Sequence, residues 1–384
     1  MPEQLEERIR QRLAAIESAG LERSLTPPRG IDFSSNDYLG LATHPEIKSR
    51  FAEAVGREGC GATAARLLRG DRDCFNAIEN RFAAFKGTKR SLYFGSGYAA
   101  NLGILATFLE PGDVVFSDEL NHASLIDGIR LAKAERRIFA HANVNALATL
   151  LGETKTPGQK FLVTESLFGM GGDVAPLVEY VELCRATNTN LIVDEAHAVG
   201  IYGVLGNGLI NKYGIEGEVF LSMNTAGKAL GVAGAFVAGS DWAIEYLVQR
   251  ARTFMFSTAP PPALADAIDA ALDVIATEKE RRLRLLENIH LMHELLIELG
   301  LDFQREMTQI IPIVIGESAE AVSVAARLQS AGFDVRAVRP PTVPNGTARL
   351  RLSINSELKE ADLRGLAAAM SEVGIGGNAL GAVR

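Results

Sequence analysis

The chain has 384 residues, with 47 acidic side chains against 39 basic ones and a formal net charge of −8. That length suits one large domain plus a smaller one, and the acidic balance argues against a nucleic-acid platform. Three cysteines, Cys60, Cys74 and Cys184, show neither metal-ligand spacing nor an even disulfide framework. A reducing, cytoplasmic setting is expected, with no metal site. Residues 1–18 mix both charge signs without an apolar stretch, unlike a signal or transit peptide. No apolar run approaches the ~18 residues of a membrane span, so no membrane partner is expected.

Leu5, Ile9, Leu13 and Ile16 predict a helix over Glu3–Ser18 with a narrow apolar stripe, read as a docking arm. After Pro27-Pro28 the segment 33–41 reads as extended, ending in a turn. Pro45–Val55 reads as a helix with proline in its first turn. Cys74–Lys86 is a further helix. Strands and helices then alternate: strand Ser91–Phe94, helix to Phe108, strand Asp113–Ser117, helix Ser124–Ala134 and strand Arg137–Phe139. They continue with strand Phe161–Thr164, helix Leu177–Thr187, strand Leu191–Val193 and strand Glu218–Met223. Such alternation predicts an α/β fold with a mainly parallel sheet covered on both faces. Leu264–Leu299 reads as one long helical stretch connecting two domains. Beyond it, strands Gln309–Ile315, Asp334–Val338 and Ala348–Ile354 and helices Ala319–Ala331 and Lys359–Val373 predict a small α+β domain.

Chemistry gathers where the strands end. In an open parallel sheet, ligands bind at the carboxyl ends of the strands. Four polar features fall there: Gly95-Ser96-Gly97-Tyr98, Ser166, Asp194 with His197, and Thr225 with Lys228. Lys228 stands among small apolar residues, where desolvation would lower its pKa and make it an amine nucleophile toward an aldehyde. Gly95-Ser96-Gly97 lies between a strand and a helix and offers free N–H groups to a phosphate. It matches neither G-x-x-x-x-G-K-[ST] nor the full G-x-G-x-x-G. Asp194 closes an apolar strand and wants a cationic partner. A protonated pyridine nitrogen would serve, and His197, three residues on, could reach a phenolate oxygen of the same ring. His122, just after a strand, could stack on an aromatic cofactor. Each feature also has a plainer explanation: a tight turn, a helix cap, a structural loop histidine or an exposed lysine. Their coincidence at one sheet edge favours a site.

Together these motifs resemble the α-oxoamine synthases, pyridoxal-phosphate enzymes of the aspartate-aminotransferase fold. The resemblance spans nearly the whole chain and rests on FSSNDYLGL (33–41), GSGYAAN (95–101), DELNHASLIDG (118–128), DEAHAVGIYG (194–203), TAGKALG (225–231) and FSTAPPP (256–262). It implies fold type I of these enzymes: a large domain on a seven-stranded, mainly parallel sheet and a smaller C-terminal α+β domain. The partition expected is an arm and helix over 1–45, a cofactor-binding domain over 46–275 and a small domain over 276–384.

The resemblance also implies roles. Lys228 would carry pyridoxal 5′-phosphate covalently, with Asp194 on the ring nitrogen, His197 and Ser166 at the ring hydroxyl and His122 stacked on the ring. Gly97, Tyr98 and Thr225 would hold the phosphate. Ser257 and Thr258 would reach the phosphate of a neighbouring subunit, which implies a homodimer with shared sites. Arg351 would pair with the amino-acid carboxylate. Thr342 and Asn36 match substrate-side positions, and Arg23 stands where the family offers a basic residue to a substrate carboxylate. Lys228, His122, Asp194 and His197 are the catalytic set. RPPTVPNGTARLRLSIN (339–355) points within the family to the biotin-pathway reaction, condensing L-alanine with a pimeloyl thioester carried on CoA or on an acyl-carrier protein. Glycine acetyl transfer from acetyl-CoA is the alternative. One departure is Gly61-Ala62-Thr63-Ala64-Ala65, with alanines where the family usually has glycine and serine.

Overall fold

The computed structural model describes residues 3–301 and 307–376. The chain divides into two compact units. One takes the chain up to Ser35, Met170–Gly172 and the chain from Arg284 onward; the other takes Asn36–Gly169 and Asp173–Leu283.

The first strand, β1 (Ile31–Asp32), belongs to the smaller unit. The next seven build the larger unit's sheet: β2 (Arg90–Phe94), β3 (Val114–Asp118), β4 (Glu135–Phe139), β5 (Lys160–Glu165), β6 (Thr189–Asp194), β7 (Val219–Thr225) and β8 (Ala235–Gly239). Their order is β2-β8-β7-β6-β5-β3-β4. All run parallel except β8, which is antiparallel to both its neighbours. The middle strands read as unbroken apolar runs, such as Phe161-Leu162-Val163 and Leu191-Ile192-Val193, because helices bury both faces. Leu92, Val115, Ile192, Leu221 and Val237 pack with Ile104 and Leu105 of helix Gly97–Phe108 and with Leu125 and Ile129 of helix Ala123–Ala132. Each such side chain contributes roughly 1.5–3 kcal/mol by leaving water.

Those two helices approach closely. A Cβ on Gly128 would lie 2.8 Å from Leu105 Cδ1 and 3.2 Å from the Asn101 carbonyl oxygen. Glycine there lets Asn101 and Ser124 meet above the sheet.

In the smaller unit, β9 (Ile310–Gly316), β11 (Ala337–Val338) and β12 (Ala348–Ser353) form an antiparallel sheet of order β11-β12-β9, and β10 (Phe333–Asp334) pairs in parallel with β1. Helices Ser318–Ser330 and Glu360–Glu372 accompany them.

Two expected elements are broken. The single strand over 334–338 is instead β10 and β11, in different sheets. The Asp334 carboxylate draws Arg336 (2.5 and 3.0 Å) and the Arg29 amide (3.3 Å) to itself, turning the chain between them. The stretch 264–299 is two helices, Ala263–Thr277 and Lys279–Glu298, which meet at Glu278. Glu278 leaves helical geometry (φ −100°, ψ 61°), and its carboxylate binds His44 (3.0 Å) and Arg281 (2.7 Å). Helix Val144–Glu153, strand β8 and helix Asp241–Arg250 carry no assignment in the sequence reading. β8 is rich in alanine and glycine, which favour neither period.

Candidate active site

Parallel strands deliver their carboxyl ends to one edge of the larger unit. β6 ends on Asp194 and β7 on Thr225. After β7 the chain makes a tight excursion before β8. The Gly227 amide bonds the Thr225 hydroxyl (3.1 Å), Gly231 N bonds Lys228 O (2.8 Å) and Ala226 N bonds Gly234 O (2.9 Å). Lys228 sits at the tip of this turn, half-buried.

The Lys228 amine lies 2.7 Å from His197 Nε2. On the other side of that ring, Nδ1 is 2.7 Å from the Tyr38 hydroxyl, which donates to Asn36 Oδ1 at 2.9 Å. The imidazole is thus pinned from both ends. Asp194 is buried, and both its oxygens are held: Oδ1 by the Ala196 amide (2.8 Å) and Oδ2 by the Asn101 side chain (2.8 Å). The same Asn101 amide nitrogen reaches Ser124 Oγ (2.9 Å), and Ser124 Oγ meets His122 Nδ1 (2.7 Å). One continuous polar chain therefore links Asp194 to His122. Burial pushes the His122 pKa below the ordinary imidazole range; the Asp194 charge opposes that and the Lys228 charge adds to it. The bond from Lys228 to His197, three residues past Asp194, brings the lysine to the same strand end.

Glu165, which closes β5, belongs to the same cluster. Its carboxyl is buried, accepts from the Gly169 amide (3.1 Å), and has a pKa pushed up to about 8. Loss of water is the main cause; the Asp194 charge adds to it and the Lys228 charge opposes it. The sequence reading passed over Glu165, Tyr38, Asn101 and Ser124. Strand register is the missing signal: Glu165 and Asp194 are direct partners across β5 and β6. Asn101 is four residues along the helix from Gly97, one turn on and on the same face.

The remaining expected residues are placed as follows. Gly97 opens helix Gly97–Phe108, whose first turn is capped by Ser96 Oγ on the Ala99 amide (3.2 Å). Tyr98 is partly exposed and bonds Asp127. The Thr225 hydroxyl faces the Gly227 amide and Gly234 O (3.2 Å). Ser166 is buried; its amide donates to the Asp194 carbonyl (2.8 Å), and its hydroxyl has no hydrogen-bond partner. Ser257 and Thr258 are exposed.

Three expected substrate residues lie in the smaller unit. Arg351 on β12 is buried and bonds Ser353 Oγ (2.6 Å). Arg23 and Thr342 line a cavity of about 500 Å³ with Glu22, Arg336 and Arg339, and Arg23 donates to Pro340 O (2.8 Å). No cluster of metal-ligating side chains occurs among the described residues, and no helix there is long and apolar enough to cross a membrane.

Residues 28–370 match the family model of aminotransferases of class I and II. The chain belongs to that family. An 8-amino-7-oxononanoate synthase from Anaeromyxobacter dehalogenans is 45% identical over 375 residues, covering 94% of either chain. Among solved structures, an 8-amino-7-oxononanoate synthase from Francisella tularensis superposes with a TM-score of 0.78 at 30% identity, over 89% of this chain and 97% of that one. A serine palmitoyltransferase solved with PLP superposes with a TM-score of 0.88 at 28% identity, over 97% and 98% of the two chains. The sheet and its site edge therefore have fold type I architecture.

Proposed function

We propose that this protein is a pyridoxal-phosphate-dependent acyltransferase of biotin biosynthesis. It condenses L-alanine with a pimeloyl thioester, releases carbon dioxide and the thiol, and gives 8-amino-7-oxononanoate. The observation that carries this reading is the meeting of Lys228, His197, Asp194 and His122 at one sheet edge, in a chain 45% identical to a synthase of that name.

The residues present suit pyridoxal phosphate. Lys228 offers an amine to its aldehyde, and the buried, doubly bonded Asp194 offers a fixed negative charge to its ring nitrogen. At Gly97 an added Cβ would press on Met223 Cε (3.3 Å) and approach Thr225 Cβ (3.9 Å), so glycine keeps room beside a helix N-terminus for a phosphate. Gly97, Tyr98 and Thr225, with Ser257 and Thr258 supplied by a second copy, are assigned to that phosphate. Ser166 and His197 are assigned to the ring hydroxyl. When bound, the cofactor supplies an electron sink for charge developing on the alanine Cα.

The chain's own groups do the rest. Lys228 Nζ takes the Cα proton and later returns one; His197, braced by Tyr38, sets the direction of that amine. Asn101 and the Ala196 amide bond the two Asp194 oxygens in place of water and fix the direction of the carboxylate. His122 is neutral near pH 7, and its ring is oriented through Ser124 to polarise a carbonyl oxygen. Arg351, with Arg23, Thr342 and Asn36, is assigned to the substrates; a guanidinium grips a carboxylate through two parallel bonds.

The test is direct. Purified protein, pyridoxal phosphate, L-alanine and pimeloyl-CoA or the pimeloyl carrier protein should yield one carbon dioxide per 8-amino-7-oxononanoate. Faster turnover with glycine and acetyl-CoA would overturn the reading in favour of glycine acetyl transfer. We assign a cytoplasmic homodimer, for which light scattering should report twice the chain mass.

A further inference from the structure

Glu165 and Asp194 end neighbouring parallel strands in direct register. Strands so paired lie about 4.8 Å apart, so two carboxyl groups crowd one buried edge. They are treated differently. Asp194 is held by a side-chain amide and a backbone amide. Glu165 has no arginine or lysine bonded to it; it accepts from the main-chain N–H of Gly169, on the loop after β5 (3.1 Å).

Gly169 is itself wedged against the site. A Cβ there would stand 2.5 Å from His197 Nε2, the nitrogen that meets the Lys228 amine. Any drift of this main chain therefore presses on the imidazole that aims the lysine. A single buried carboxyl thus governs the backbone abutting that histidine.

We propose that Glu165 is a positioning residue for the reaction: by holding the main chain of Gly169, it keeps His197 in place beside Lys228. This rests on the proposed function, since it concerns the same site. The carboxyl touches no substrate atom and acts only through this loop. The high proton affinity of Glu165 fits the role, because a carboxyl that stays protonated near pH 7 does not add a second negative charge beside Asp194.

The experiment compares wild type, Glu165→Ala and Glu165→Gln as full-length protein, with and without pyridoxal phosphate. Hydrogen exchange read by mass spectrometry reports on segment 166–171, and turnover with alanine and pimeloyl-CoA is measured alongside. Removing the acceptor of a buried amide should speed exchange in that segment by about tenfold or more in the Ala variant and cut turnover about a hundredfold. Glutamine keeps a carbonyl acceptor, so the segment should regain protection and turnover should recover about tenfold. If the Ala variant does not fold, Glu165→Met, which removes the acceptor at similar volume, decides in its place: faster exchange in the segment at unchanged global melting supports the proposal. Wild-type exchange in segment 166–171, in whichever acceptor-free variant folds, overturns it. So does uniformly faster exchange over the whole chain. A wild type that makes no product from alanine would instead overturn the function, while the exchange result would stand.

Discussion

Two lysines of the larger unit, Lys86 at the end of helix Asp73–Lys86 and Lys228 just past β7, have opposite characters. Lys86 is fully buried; its ammonium donates to Glu195 Oε2 at 2.5 Å and to the Asn207 carbonyl. Glu195 in turn accepts from the Leu209 and Ile210 amides (2.7 and 3.0 Å), so every charge in that group is matched. Lys228 is half-buried and meets an imidazole, which can orient an amine without neutralising an ammonium. The consecutive acids Asp194 and Glu195 face these two environments. A matched buried lysine is structural and unreactive. A lysine steered by a histidine can exchange its proton and its bond.

The sharpest way to break this contrast is Lys228→Ala. Turnover should fall on the order of 10⁵-fold, as when a covalent nucleophile is removed. The visible cofactor band that borohydride traps should vanish, with melting temperature little changed. Normal turnover in that variant would end the assignment. Lys86→Met should do the reverse. It leaves Glu195 uncompensated and should cost about 3–5 kcal/mol of stability in urea melts, while molecules that remain folded keep their turnover. Adding Glu195→Gln should restore part of that loss, because glutamine still accepts from Leu209 or Ile210.

His141 supplies a cation that can be switched off. Its ring lies between Asp118 (2.9 Å) and Asp173 (2.5 Å). Burial opposes its charge, but the two carboxylates overcome this and raise its pKa to about 9. The folded value stands above the ordinary value of 6.5, so this stabilisation is complete below about pH 6.5 and is lost as pH rises through about 9. Urea melts should show a decline on the order of 3 kcal/mol across that window, and His141→Asn should flatten it. A slope identical in the variant would refute the pairing. The smallest effect concerns backbone. Thr63 holds φ 63°, a left-handed conformation that a β-branched residue adopts at a cost. Thr63→Gly should relieve about 1 kcal/mol, offset in part by chain entropy, and leave turnover unaltered.

Much of the architecture was legible before any coordinates. Apolar runs bounded by polar strand ends marked the parallel sheet, since a strand buried on both faces has little choice of composition. Most helices and strands expected from periodicity lie within a few residues of where they form. The failures share a cause. Nothing local in 264–299 announces that Glu278 will be pulled out of a helix by His44, more than two hundred positions away. Nothing in 334–338 says that Asp334 and Ala337 will join different sheets.

The same division holds for the site. Lys228, Asp194, His122 and His197 stand out in sequence because reactive or charged side chains beside glycine and at the ends of apolar runs are costly unless used. Glu165 and Asn101 look ordinary in the chain. Their part depends on register between strands and on the approach of two helices at Gly128, which are distances in space between residues far apart in sequence. Residue type and order determined which chemistry was present. Tertiary packing alone decided which groups would share a pocket, and so which carboxyl would lose water without gaining a cation.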